Sequence, residues 1–178
     1  TRDVAREETD SARVLRITWT DPASSLAVTA EVKVFKRYPA VDWVLYFENR
    51  GASPSPVISD IQALDVSLRT GHPRKAAVLH ELEGDACGMT SFLPKQEELA
   101  TGKEIRRAPT GGRPSSISAF PWFDFEYESQ GFIGAIGWTG QWTSRFTRAE
   151  NGPTRARAGM EKTALSLEPG EKIRSPRI

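Results

Sequence analysis

The chain has 178 residues, 24 Lys and Arg against 23 Asp and Glu, a net charge of +1, and 38% hydrophobic residues. A chain of this length buries about 70% of its unfolded surface, so one domain can hold a core without disulfides or metals, and the composition excludes disordered, collagen-like and coiled-coil classes. Balanced charge with no long basic run argues against nucleic acid as a partner, and the longest charge-free stretch, residues 129–144, is too often broken by Gly, Thr, Gln and Ser to cross a membrane as a helix. The single cysteine, Cys87, excludes an internal disulfide and defines no redox compartment.

The chain opens at Thr1 without a Met or a signal segment and reads as a piece of a longer protein, a processed mature chain being the other reading. Residues 1–13 are polar and mixed in charge. Residues 15–20 then alternate, Leu15, Ile17 and Trp19 against Arg16, Thr18 and Thr20, which predicts a half-buried strand. Residues 26–35 repeat the pattern with Val28, Ala30, Val32 and Val34, and Val41, Trp43, Leu45 and Phe47 do so again before Asn49-Arg50-Gly51 turns the chain.

Pro54 and Pro56 bar a central strand, after which residues 57–69 read as one long or bulged strand and residues 77–82 as a shorter one. Residues 84–114 have weak periodicity and much Gly, Pro and charge, with at most a short helix at residues 96–100; a segment of this kind reads as a long functional loop. Strand patterns return at residues 116–127, 131–138, 141–146, 154–158 and 163–167. Glu168-Pro169-Gly170 turns the chain into an extended tail, residues 172–178. With ten or more strand-like runs and no sustained helical period, the predicted fold is all-β, in two stacked antiparallel sheets.

Chemical motifs are sparse. His72 sits in a turn and His80 ends a short strand, so neither is a recognisable base for a Ser or Cys nucleophile. One Cys with two separated His residues gives no metal-ligand spacing, and Thr110-Gly111-Gly112-Arg113 lacks the strand–loop–helix frame of a phosphate loop, so no metal and no cofactor is called for. Asp124, Glu126 and Glu128 alternate opposite Phe123, Phe125 and Tyr127, which reads as a wet face rather than a catalytic carboxylate pair.

Nine of the sixteen aromatic residues fall between Phe120 and Phe146, and most of them are expected in the core. Trp138 and Trp142 stand apart, because Gly137 and Gly140 flank a tight connection whose tip can present an indole. A flat aromatic beside an amide and a guanidinium suits a sugar's apolar face and hydroxyl rim.

The runs Gly112-Arg113-Pro114-Ser115-Ser116, Phe120-Pro121-Trp122-Phe123 and Ala135-Ile136-Gly137-Trp138-Thr139-Gly140-Gln141-Trp142 together resemble the N-terminal domain of melibiase-type α-galactosidases, glycoside hydrolase family 36. Tyr38-Pro39-Ala40-Val41-Asp42-Trp43 followed by Glu48-Asn49, then Ile61-Gln62-Ala63-Leu64-Asp65, and finally Leu167-Glu168-Pro169-Gly170-Glu171 fit the same domain in the same order. The resemblance implies a two-sheet antiparallel β-supersandwich, galactose mutarotase-like, forming a single N-terminal domain over residues 1–178. A catalytic (β/α)8 barrel is expected downstream and is absent from this chain. It also implies that the chain alone carries no catalytic residue, because the family's catalytic aspartates belong to that barrel.

The implied partners are the chain's own catalytic barrel, an α-galactoside or related glycan, and a second copy in a homo-oligomer. Residues 84–114 are the expected rim loop, with Trp138, Arg113, Ser115 and Ser116 near the sugar-binding end and Asp85 and Cys87 close by. Alternatives are a free-standing carbohydrate-binding module and, on fold analogy, a sugar epimerase. An excised sandwich is further expected to self-associate through residues 120–142.

Overall fold

The computed structural model describes residues 1–68, 76–110, 116–127, 130–150 and 153–178; His72, Arg113, Ser115 and Glu128 lie outside them. Among the described residues there is no helix, so none is long and apolar enough to cross a membrane. The fold is an all-β antiparallel sandwich, as the alternation predicts. It forms two compact units, Thr1–Ala63 with Lys162–Ile178, and Leu64–Glu161.

The first unit is built on a five-stranded sheet in the order β1 (Arg2–Glu8), β2 (Ala12–Thr20), β3 (Leu26–Phe35), β4 (Val41–Asn49) and β15 (Lys172–Arg174). The register places Ile17 opposite Ala30 and Ala30 opposite Leu45, so the apolar alternants of three strands share one face. On the other face Arg16 bonds Glu7 at 3.0 Å and Glu31 at 2.7 Å, and Thr18 pairs with Thr29 at 2.8 Å. Every residue of strand β1 is exposed, in a stretch whose sequence is polar and mixed in charge. An edge strand needs no buried face, so the hydrophobic signature that marks inner strands is missing from it.

The stretch read as one strand over residues 57–69 is two, β5 (Ile58–Ser59) and β6 (Gln62–Leu68), separated at Asp60, whose φ of 50° breaks the extended run. Strand β5 pairs with β14 (Ala164–Leu165). The fully buried Asn49 closes this unit: its Nδ2 donates to the carbonyls of Ser53 and Leu167, both at 2.8 Å, and its Oδ1 accepts from the Gly51 amide at 2.9 Å.

In the second unit one sheet runs β11 (Gln130–Ala135), β10 (Trp122–Tyr127), β7 (Ala77–Leu82), β8 (Pro94–Leu99). The other runs β6, β13 (Thr154–Met160), β12 (Trp142–Arg148), β9 (Glu104–Arg107). The two sheets meet through aromatic rings: Phe146 lies 4.7 Å from Phe123 edge-on and 6.0 Å from Phe125 in a stack. Phe123 lies across Gly134, its cross-strand partner, where a Cβ would stand 2.3 Å from the ring. Opposite these rings Asp124 and Glu126 take the outer face, and Glu126 is exposed.

Three sequence expectations are corrected here. Residues 96–100 are not helical, because Gln96 and its neighbours pair with β7 as the edge strand β8; tertiary pairing overrides the helix preference of Lys-Gln-Glu-Glu-Leu. Within residues 84–110 the stretch read as one long loop therefore contains two strands, β8 (Pro94–Leu99) and β9 (Glu104–Arg107). Trp142 is not at an exposed tip: it is 1% exposed, drawn inward as the first residue of β12 opposite Met160.

Candidate functional site

The β7–β8 connection folds around Asp85. Its Oδ1 accepts from the Cys87 amide and from the Ser91 hydroxyl, both at 2.8 Å, and the Ser91 Oγ accepts from the Ala86 and Gly88 amides. The Cys87 amide, followed by the Ser91 hydroxyl, holds the Asp85 carboxyl below the usual carboxylate range. Cys87 is exposed with a φ of 53°, and its Sγ stands 3.9 Å from Asp85 Oδ2. Phe92 and Ser118 also have positive φ, 61° and 68°, so three of these sparsely populated conformations gather in two facing segments.

The second segment is residues 116–119. Asp85 donates its amide to the Ser116 carbonyl at 2.7 Å and bridges Ile117, and Glu83 bridges Ala119. At Gly84 a Cβ would stand 2.3 Å from the Ser116 carbonyl and from the Ser118 and Ala119 amides, so only glycine permits this backbone approach. Between the segments lies an open depression of about 720 Å³, lined in part by Asp85, Cys87, Thr90, Leu93, Ile117 and Ser118.

Trp138 is not among the lining residues. It is half-buried in the connection from β11 to β12, with its Nε1 2.9 Å from where a Cβ on Gly140 would stand. That connection is nevertheless tethered to the same locality, because Gln141 Nε2 donates to the Pro109 carbonyl at 2.5 Å. Thr110, the next residue, bonds through its hydroxyl to Ser118 at 2.5 Å and through its amide to the Ile117 carbonyl at 3.4 Å. The described residues on either side of Arg113 and Ser115 thus close on each other: one root touches the Asp85 turn and the other the Trp138 connection.

Chemically the depression offers a carboxylate, hydroxyls, a thiol and an apolar wall, a lining suited to a hydroxylated ligand. Among the described residues no group of three or more His, Cys, Asp and Glu is placed to hold a metal. His80 is on the outer face of its sheet, 2.8 Å from Glu126. The sequence singled out neither Ser91 nor Ser118, and Thr110 and Gln141 figured in it only as members of motifs. For Ser91 a local signal existed, since an Asp that caps the amide two residues on is an Asx turn.

The architecture defines the class: an all-β antiparallel sandwich. Solved structures that share this fold include α-galactosidases. The galactosidase domain of an α-galactosidase–sucrose kinase, AgaSK, superposes with a TM-score of 0.78 at 14% identity over 99% of this chain and 26% of that one. The family 36 α-galactosidase AgaA of Geobacillus stearothermophilus gives 0.76 at 16% identity over the same shares, and the α-galactosidase of Lactobacillus brevis 0.74 at 15% over 98% and 24%. No family model matches the chain, and no curated protein matches it in sequence. The resemblance to the N-terminal sandwich of these enzymes therefore holds as a likeness of fold, and the chain spans about a quarter of the length of the solved structures it matches.

Proposed function

We propose that residues 1–178 act as one noncatalytic sandwich domain of a retaining glycoside hydrolase similar to the α-galactosidases. The domain supports a catalytic barrel and brings its loops to the edge of the sugar pocket. The observation that carries this reading is the fold match over 99% of the chain to about a quarter of α-galactosidase chains. Supporting it, the three segments singled out for a pocket rim are tethered together: the Asp85 turn to Ser116, Thr110 to Ser118, and Gln141 to Pro109. Asp85, Cys87 and Ser116 lie at this junction, and Trp138 belongs to the connection that Gln141 tethers to Pro109.

Two measurements test the proposal. The isolated chain is expected to hydrolyse no aryl α-galactoside and to show no binding in a titration with millimolar galactose; saturable binding would instead make it a free-standing carbohydrate-binding module. In the longer enzyme, Trp138→Ala is expected to lower kcat/KM with unchanged thermal stability. Unchanged kcat/KM would remove Trp138 from the pocket rim.

A further inference from the structure

The outer face of the sheet β6–β13–β12–β9 carries a charge arrangement that works against its own stability. Ile105, Phe146, Ala156 and Ala158 are buried, so the alternation turns their neighbours Arg106, Arg145 and Arg157 outward. The register sets Arg145 directly opposite Arg157 on β13 and directly opposite Arg106 on β9. Three guanidiniums therefore stand in one row across three adjacent strands. Side chains opposed in this way start about 5 Å apart, and like charges there repel. Arg155, two residues before Arg157 on the same strand, adds a fourth cation to the face.

Three carboxylates reach the row, and they are unevenly placed. Asp65 accepts from Arg155 on both oxygens, at 2.6 and 2.5 Å, and stands 3.8 Å from Arg157 Nε. Arg106 donates to Glu161. Arg145, the middle member, has Glu104 at 3.8 Å, beyond hydrogen-bond reach, and no hydrogen-bonded partner among the described residues. Four arginines against three carboxylates leave one positive charge in excess, and that excess centres on the half-exposed Arg145.

We propose that Arg145, flanked by Arg157 and Arg106, binds a phosphoryl group, as free phosphate or as a phosphomonoester. Two features of the row select this chemistry. A guanidinium donates through a planar fork, and two forks converging on one anion need three or more acceptor oxygens, which a carboxylate does not have. A phosphomonoester also carries about −1.5 to −2 at pH 7, enough to offset the excess charge and relieve the repulsion between neighbouring guanidiniums. The site lies on an open sheet face, so the affinity is modest, with a Kd of about 1 mM. Glu104, at its rim, opposes the anion.

Calorimetric titration of the 178-residue chain with inorganic phosphate at constant ionic strength is the test. Phosphate is expected to saturate one site, and acetate to give no heat beyond dilution. Arg145→Met is expected to weaken phosphate about tenfold while raising Tm in phosphate-free buffer, because it removes the middle charge of the row. Glu104→Gln is expected to tighten phosphate about threefold. A hexose 6-phosphate titrated in parallel separates the two sources: binding tighter than that of phosphate marks an ester as the ligand, and binding no tighter marks the free ion. No saturation by about 20 mM phosphate, acetate bound as tightly as phosphate, or a Kd indifferent to Arg145→Met would overturn the proposal.

Discussion

Glu81 occupies an inward position of β7, in the alternation that also buries Ala77 and Leu79. Burial pushes its carboxyl above the usual range, and the Arg107 guanidinium pulls the other way without prevailing. The reason is sharing: Arg107 donates to Glu81 at 2.8 Å and to Glu97 at 2.5 Å, and Glu97, further held by Lys103, is kept below its usual range. The signs then differ within one cluster. A raised carboxyl pKa gives stability that is present below the unfolded value and lost as pH rises through the folded one. A lowered pKa gives stability that is lost as pH falls. Glu81→Gln is expected to flatten the loss of stability on going from pH 4.5 upward, measured by urea midpoints across pH. Arg107→Met strands a buried carboxylate and is expected to cost about 3 kcal/mol at pH 7, much of it recovered when Glu81→Gln is added.

At the scale of elements, the strands that sequence made legible are those with one face to bury: β2, β3 and β4 were evident because Val, Ile, Leu and Trp alternate with Thr, Lys and Glu. β1 and β8 were not, since edge strands satisfy a ladder with polar residues and leave no period in hydrophobicity. Of the residues around the depression, Asp85, Cys87 and Ser116 were named from the sequence and Ser91 and Ser118 were not, and the place they share was illegible. Asp85, Ser116 and Trp138 are separated by up to 53 positions; the tie at Asp85–Ser116 is backbone and carries no residue code, and the side-chain ties of Gln141 to Pro109 and Thr110 to Ser118 join positions that no local pattern pairs. Gly84 is the exception, because its lack of a side chain is what the approach requires. Gly84→Ala is expected to cost about 1–3 kcal/mol and to raise the reactivity of Cys87 toward a thiol reagent as the Asp85 turn opens. Unchanged stability and unchanged Cys87 reactivity would show that the two segments do not need that approach.

Over the whole molecule the two units differ in how the chain supplies them. The second is continuous, whereas the first takes its closing strands β14 and β15 from residues 162–178. Those residues supply partners for β5 and β4, the Leu167 carbonyl that holds Asn49, and the Ser175 hydroxyl that accepts from the Leu45 amide at 3.0 Å. Deleting residues 162–178 is expected to abolish amide-exchange protection in β4 and β5 while the Phe123–Phe146 core of the second unit keeps its own. Equal loss in both would show a single cooperative unit.

This discontinuity also orders events on the ribosome. At about 5–20 residues per second, roughly 100 residues of the second unit are made between the last strand of the opening segment and the first residue that can close it. For five seconds or more the growing chain therefore presents β4 as an unpaired edge. Nascent chains crowded on one message are then exposed to pairing with each other before their own last strands emerge.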